Sequence, residues 1–337
     1  MKTGILTFSA ADNYGAMLQC RCLYEVLRGL GHDVSVIDYR PEYLTAPYGL
    51  WKKGSLRHPM TMLKISANFA GAVRRAREFE RFRSQMALSP FGQGGFGAII
   101  YGSDQIWNRN ITNGIDPVFY AAAPFATGAR NISYAASDGD IIPSPEEQKE
   151  IRGYLHGFHR IGVREATMQK RMDESGIPAV LNLDPVLLAG TDILNQIREP
   201  VREKGYVLTY EAIDEPKVLS TARTIAAERG LKLISLARAP YADGQNKYGP
   251  GEFITLFKDA DCIVTTSFHA IVLAILYHKE FHFARTNTPA DDRILSLFGT
   301  LGITEDAVVS YEELDAKLEK LRAESVNYLE EALKTDG

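Results

Sequence analysis

The chain reads as an α/β protein of two Rossmann-like domains facing a central cleft. Three observations predict this. Its 337 residues fit two domains at roughly 150 residues each. Short apolar runs alternate with stretches of helical periodicity, the pattern of parallel strands joined by right-handed helical crossovers. A polar stretch over residues 190–205, with Pro200, Arg202, Glu203 and Lys204, interrupts the alternation and separates domains at 1–195 and 205–337.

Residues 4–8 are apolar and strand-like, and residues 9–15 are a polar loop. Over 16–30, Met17, Leu18, Leu23, Val26, Leu27 and Leu30 fall at helical spacing, and Gly29 and Gly31 mark the end. Residues 34–39 form a second strand stopped by Arg40-Pro41, so the chain opens as βαβ. Residues 52–83 carry nine Lys and Arg against Glu78 and Glu80, with interleaved apolar side chains. They predict a helix with a basic face: either a solvated surface helix packed on the domain, or a surface for anionic lipid or a lipid-diphosphate-linked acceptor.

Gly92, Gly94 and Gly97 match G-x-G-x-x-G, but they precede a strand rather than follow one, so they read as a loop and not an NAD site. Strands are predicted at 98–101, 131–136, 161–163 and 179–188, the last broken by Asp184-Pro185, with helices at 145–158 and 166–175. The second domain repeats the pattern. Strands at 206–210, 232–236, 262–265 and 281–283 alternate with helices at 216–229, 252–258 and 270–277, before a charged amphipathic helix at 311–334.

Composition narrows the function. A net charge of −4 gives no basic excess for nucleic acid. Cys20, Cys22 and Cys262 make neither a disulfide framework nor a zinc set, and read as reduced thiols of a cytoplasmic protein. The opening residues lack the features of a signal peptide, and no run is long enough for a membrane span. No metal site is expected.

Three places carry candidate chemistry. Gly102-Ser103-Asp104-Gln105-Ile106-Trp107-Asn108 follows a strand directly. It is either an Asx-type turn over a buried Trp107, or a polar rim for a hydroxylated substrate with Asp104 as base. His269 sits at a strand-to-helix turn, where a helix N-terminus favours anions; it is either a core histidine or a proton donor. Arg164 follows a strand in the same way, as an ion pair with Glu165 or Asp173, or as a grip on carboxylate or phosphate.

A resemblance covers these places in order. Thr7-Phe8 through Asn13-Tyr14-Gly15-Ala16 and Gln19, then 36–41, 102–108, 132–137, 163–165, 259–269, Lys279, Phe281 and 292–294, are similar to the polysaccharide pyruvyl transferase family. The resemblance implies a bacterial, GT-B-like transferase of exopolysaccharide biosynthesis. It would move pyruvate from phosphoenolpyruvate onto a sugar of a surface polysaccharide or lipid-linked precursor, as a ketal and without a cofactor. It implies cytoplasmic work, with peripheral contact at the inner membrane face and no nucleic acid partner. His269 and Arg164 take the family's essential His and donor-binding Arg, with Asp104 as base. Asn13, Tyr14, Gly15, Ser103, Gln105, Asn108, Ser267 and Arg293 complete the implied binding set. Ser267 stands where many members carry Arg, and Ala270 where Gly is common, so a trianionic donor needs Arg285, Arg293 or a lysine in compensation. The alternatives are a nucleotide-sugar glycosyltransferase of the same fold and a non-catalytic glycan-binding relative.

Overall fold

In the computed structural model, which describes residues 1–49, 59–238, 244–303 and 310–334, the apolar runs assemble into two parallel sheets. The first has the order β3 (Leu88–Pro90), β2 (Asp33–Asp38), β1 (Lys2–Leu6), β4 (Ala98–Tyr101), β5 (Arg130–Ala136), β6 (Arg160–Val163) and β7 (Val180–Leu181). The second has the order β11 (Glu280–Phe283), β10 (Cys262–Thr265), β8 (Tyr206–Tyr210) and β9 (Lys232–Leu236). Strands β4 and β10 are buried at every position, which is why they read as continuous apolar runs rather than alternating ones. The direction of winding reverses between β1 and β4 in one sheet and between β8 and β10 in the other. Such reversals open crevices at the carboxyl ends of the strands.

Four helices pack between the sheets: α1 (Tyr14–Gly29), α6 (Pro185–Ile197), α8 (Pro250–Asp259) and α9 (Phe268–Leu276). Their apolar faces merge into one core shared by both domains, with the Tyr14 ring stacked on Phe253 at 4.2 Å. The remaining helices are α2 (Glu42–Thr45), α3 (Pro59–Arg83), α4 (Pro145–Leu155), α5 (Ala166–Glu174), α7 (Pro216–Arg229), α10 (Ala290–Leu301) and α11 (Tyr311–Leu333). At the end of the chain, α11 returns to the first sheet: Tyr328 Oη donates to the Ser133 carbonyl at 2.8 Å. The Leu183 N–H donates to Ser325 Oγ at 3.0 Å.

The basic helix differs from a solvated face. Arg75 and Arg83 of α3 are buried, at 1% and 2% exposure. Arg75 lies over the Tyr14 and Phe79 rings and donates to the backbone carbonyls of Asp12 and Arg238. Arg83 donates to the Ser9 carbonyl and the Asp12 carboxylate. Arg74 reaches Glu252 in α8, and Arg81 reaches Glu199. These four arginines therefore tie α3 to the second domain, the connecting segment and the loop after β1. Residues 52–58 of the basic stretch lie outside the described residues.

The stretch 179–188 departs from its reading as a strand. Only β7 is extended, and α6 begins at Pro185. Asp184 caps it, Oδ1 accepting from the Val186 N–H at 2.9 Å, and Pro185 at the first helical position has no N–H to leave unsatisfied. Helix α6 bends at Gly190 and runs to Ile197, so the polar stretch assigned to the boundary starts inside a helix. The short elements β3 and α2, and the helix α10, are absent from the sequence reading. The loop containing Gly92, Gly94 and Gly97 joins β3 to β4 and opens no helix. All three cysteines are free and buried, and burial pushes the Cys20 thiol up to about 12. Among the described residues no helix is long and apolar enough to cross a membrane.

Candidate functional site

Loops after β1, β4, β8 and β10 meet at the two reversal points and enclose a cleft of about 450 Å³. Asn13, Gly15, Asp104 and Gln105 line it from the first domain; Ser267, His269 and Arg293 line it from the second. Helices α1 and α9 both begin at this cleft. Their free N–H groups and dipoles favour an anion there.

On the first wall, Asn13 caps α1 by accepting from the Ala16 N–H at 3.1 Å, while its amide donates to the Tyr48 hydroxyl at 3.3 Å. Asp104 has a left-handed backbone, with φ of 80°, a conformation Asp tolerates better than most residues. Its side chain accepts from the Gln105 N–H at 2.8 Å, and its carbonyl accepts from the Ser137 N–H at 3.0 Å. Gly102 precedes it with φ of 111°, and a Cβ there would stand 2.5 Å from the Tyr134 carbonyl oxygen, so only glycine fits. The 102–108 segment is a turn with one side packed inward and the other on the cleft. Trp107 is buried beneath the turn, stacked on Tyr120 and donating to the Phe119 carbonyl, while Asp104 and Gln105 face the cleft.

On the second wall, His269 lies in the first turn of α9, its ring against the backbone of Gly15. A Cβ on Gly15 would stand 2.2 Å from His269 Nδ1. The other ring nitrogen, Nε2, is buried and lies 3.6 Å from Asp184 Oδ2. Burial raises the Asp184 carboxyl, but His269 and Arg164 outweigh it and hold the group down at about 2. Arg293, on α10, forms no ion pair among the described residues, and its Nε is buried without a hydrogen-bond partner. Burial, then the neighbouring Arg164, lowers its pKa. An anion entering the cleft would relieve both costs.

Four of the residues implied by sequence lie elsewhere. Arg164 does not line the cleft. Its Nε donates to Glu165 and its Nη1 to Asp184, both at 3.1 Å, and its guanidinium lies 4.7 Å from the Phe268 ring centre. It lines a smaller, open pocket beside the cleft, and Phe268 and Arg293 line both. Burial works against its charge, but Glu165, Asp184 and Asp104 keep its pKa above the ordinary value. Tyr14 belongs to the core, its hydroxyl donating to the Tyr248 carbonyl at 2.7 Å. Ser103 is buried and its carbonyl accepts from Thr7 Oγ1 at 2.7 Å. Asn108 is also buried and acts through its neighbour, its amide donating to Gln105 Oε1 at 2.7 Å.

Tyr43, Tyr48 and Arg238 also line the cleft and are missed by the sequence reading. Tyr43 and Tyr39 both donate to the Asp116 carboxylate, which brings α2 over the cleft. Arg238 is held by Asp214 and the Ala212 carbonyl. Only Asp184 has a usable signal, since Asp before Pro is a helix-start pattern. Among the described residues Cys262, Glu280 and His282 have metal-ligand chemistry and lie close together. Arg229, however, holds Glu280 through two bonds, of 2.8 and 2.7 Å, and puts its own positive charge there.

Two Rossmann-like domains whose reversal points share a polar, anion-favouring cleft have the GT-B-type arrangement. A family profile for polysaccharide pyruvyl transferases matches residues 13–286, and the chain belongs to that family. Among solved structures it resembles one from Listeria monocytogenes assigned as a UDP-N-acetylglucosamine 2-epimerase. There the TM-score is 0.50 at 13% identity, covering 99% of this chain and 95% of that one. It is also similar to a UDP-GlcNAc 2-epimerase from Neisseria meningitidis bound to UDP-GlcNAc, with a TM-score of 0.47 at 13% identity, over 98% and 93% of the two chains. The likeness to the Listeria structure bears on fold alone. No curated protein matches the sequence.

Proposed function

We propose that the protein transfers the pyruvyl carbons of phosphoenolpyruvate to two hydroxyls of a sugar, giving a cyclic ketal and phosphate. The acceptor is a sugar of a surface polysaccharide or its lipid-linked precursor, and no resident cofactor takes part. One observation carries the reading: His269 and Arg293, a cation without an ion pair among the described residues, share a cleft with the carboxylate of Asp104.

Arg293 holds the donor's carboxylate or phosphate, helped by the N-terminus of α9, and fills the place of the cation absent at Ser267. His269 gives a proton to the methylene carbon. The double-bond electrons form the new C–H bond, leaving an oxocarbenium-like centre at C2. One sugar hydroxyl attacks C2 and passes its proton to Asp104. The bond from C2 to the phosphate oxygen breaks, and phosphate leaves with the electron pair. The second hydroxyl closes the ketal. The two hydroxyl protons restore His269 and protonate phosphate, so the balance closes. Each acid or base contributes roughly 10²- to 10⁴-fold. Asn13 and Gln105 orient the sugar.

Isothermal titration with phosphoenolpyruvate tests the donor. Saturable binding is expected, weakened at least about tenfold in Arg293→Ala, the loss of a charge-assisted contact. His269→Ala is expected to bind the donor and release no phosphate on addition of sugars. Binding of UDP or UDP-sugars in place of phosphoenolpyruvate would reassign the protein to nucleotide-sugar chemistry.

A further inference from the structure

We infer that Asp184 is the positioning residue for His269, holding the imidazole with its proton on Nε2 so that Nδ1 is the nitrogen that exchanges a proton with substrate. The inference rests on the reading of His269 as the proton donor and extends it to a residue in a different element.

The geometry leaves little freedom to the ring. Nε2 points inward, buried, with Asp184 Oδ2 at 3.6 Å, an ion-pair separation rather than a formed hydrogen bond. Contacts of this kind tighten in loaded sites. Nδ1 is on the cleft side against Gly15, where the missing Cβ makes room for it. The Phe268 ring meets the imidazole edge-on at 5.4 Å.

Asp184 is itself fixed from three directions. Oδ1 caps α6 through the Val186 N–H at 2.9 Å, while Oδ2 accepts from Arg164 Nη1 at 3.1 Å and faces His269. The carboxylate is 2% exposed and, with its pKa held low, stays ionised throughout the neutral range. A carboxylate that never takes the proton selects the tautomer and stabilises the imidazolium, the division of labour seen when an acid orients a histidine. Arg164 completes the chain of supports: paired with Glu165 and Asp184, it holds the carboxylate that holds the histidine. In each turnover Nδ1 gives up its proton to carbon, the ring is left neutral with Nε2–H toward Asp184, and Nδ1 recovers a proton from the acceptor hydroxyls.

Two measurements test this. The first is a long-range ¹H–¹⁵N spectrum of the histidine rings in the full chain across about pH 5.5–8.5, the range in which an imidazole titrates, with His269 assigned from His269→Gln. The neutral ring is expected to carry its proton on Nε2. A neutral ring protonated on Nδ1, or an even mixture of tautomers, overturns the inference whatever reaction the protein catalyses. The second is Asp184→Asn, which keeps an oxygen to cap α6. Its kcat for ketal formation is expected to fall on the order of 10²-fold, with the phosphoenolpyruvate Kd within about threefold of wild type. An unchanged kcat overturns the inference and leaves the proposed reaction standing. Absence of phosphoenolpyruvate turnover in the wild type defeats the proposed reaction instead, and the spectrum still decides the role of Asp184. If the variant does not fold, the wild-type spectrum decides that role by itself.

Discussion

Adding a single methyl group at Gly15 is expected to disable the cleft without unfolding the protein. A Cβ there would stand 2.2 Å from His269 Nδ1, 2.7 Å from Cε1 and 2.8 Å from Cγ. Comfortable contact between such atoms begins near about 3.5 Å, so the imidazole has to withdraw by roughly 1 Å. Asp184 behind it and Phe268 beside it limit where the ring can go. A displacement of about 1 Å at a reacting group costs on the order of 10²-fold in rate. The backbone does not object: Gly15 lies in the first turn of α1 outside the left-handed region, and Ala gains up to about 1 kcal/mol there from helix propensity. Gly15→Ala should therefore melt within a few degrees of wild type while kcat for ketal formation falls about a hundredfold. The assay is phosphate release from phosphoenolpyruvate and a competent sugar, with thermal denaturation alongside. Wild-type kcat in Gly15→Ala would refute the placement of His269 at the reacting atoms.

Three further outcomes follow from the same contacts. Because the folded pKa of Asp184 lies near 2, below the ordinary 3.8, its contribution is fully present above about pH 4 and is lost as pH falls through 2. The linkage amounts to about 2 kcal/mol, so unfolding free energy measured from about pH 5 to pH 2 should fall less steeply in Asp184→Asn than in wild type. Arg75→Ala removes two backbone hydrogen bonds and two ring contacts at the junction of the domains, and should cost about 3 kcal/mol in urea denaturation. Thr7→Val leaves the Ser103 carbonyl and the Gln19 amide without their shared hydroxyl, for an expected loss of about 1–3 kcal/mol and a lower kcat through the Asp104 turn; unchanged stability and rate would remove Thr7 from the support of that turn.

Much of the fold is legible in the sequence because parallel strands buried on both faces leave continuous apolar runs, as at 98–101 and 262–265, and helices such as α1 carry a clear apolar stripe. Where the signal is short or shared, the reading fails. β3 spans only three residues, too few for a period to show. α6 is hidden because its first turns, residues 185–190, are buried at every position and read locally like a strand, and the Asp-Pro that opens it resembles a strand break. The motif at 102–108 shows that polar groups gather at a strand's end, but Asp104 and Ser103 look alike in a linear string. Which of them faces the cleft depends on the left-handed turn at Asp104.

Local periodicity and motifs in order were enough to establish the alternation of strands and helices and the family, because neither depends on where distant residues meet. What each charge does depends on the packed molecule. Arg164, Arg293, Arg75 and Arg83 are equivalent cations in the sequence. Folding pairs the first with Glu165 and Asp184 and buries the last two as struts. It leaves Arg293 in the cleft with no ion pair among the described residues. Asp184 and His269 stand 85 positions apart and meet only because α6 and α9 pack together. Electrostatic roles follow from distance and burial, and neither exists until the two sheets share a core.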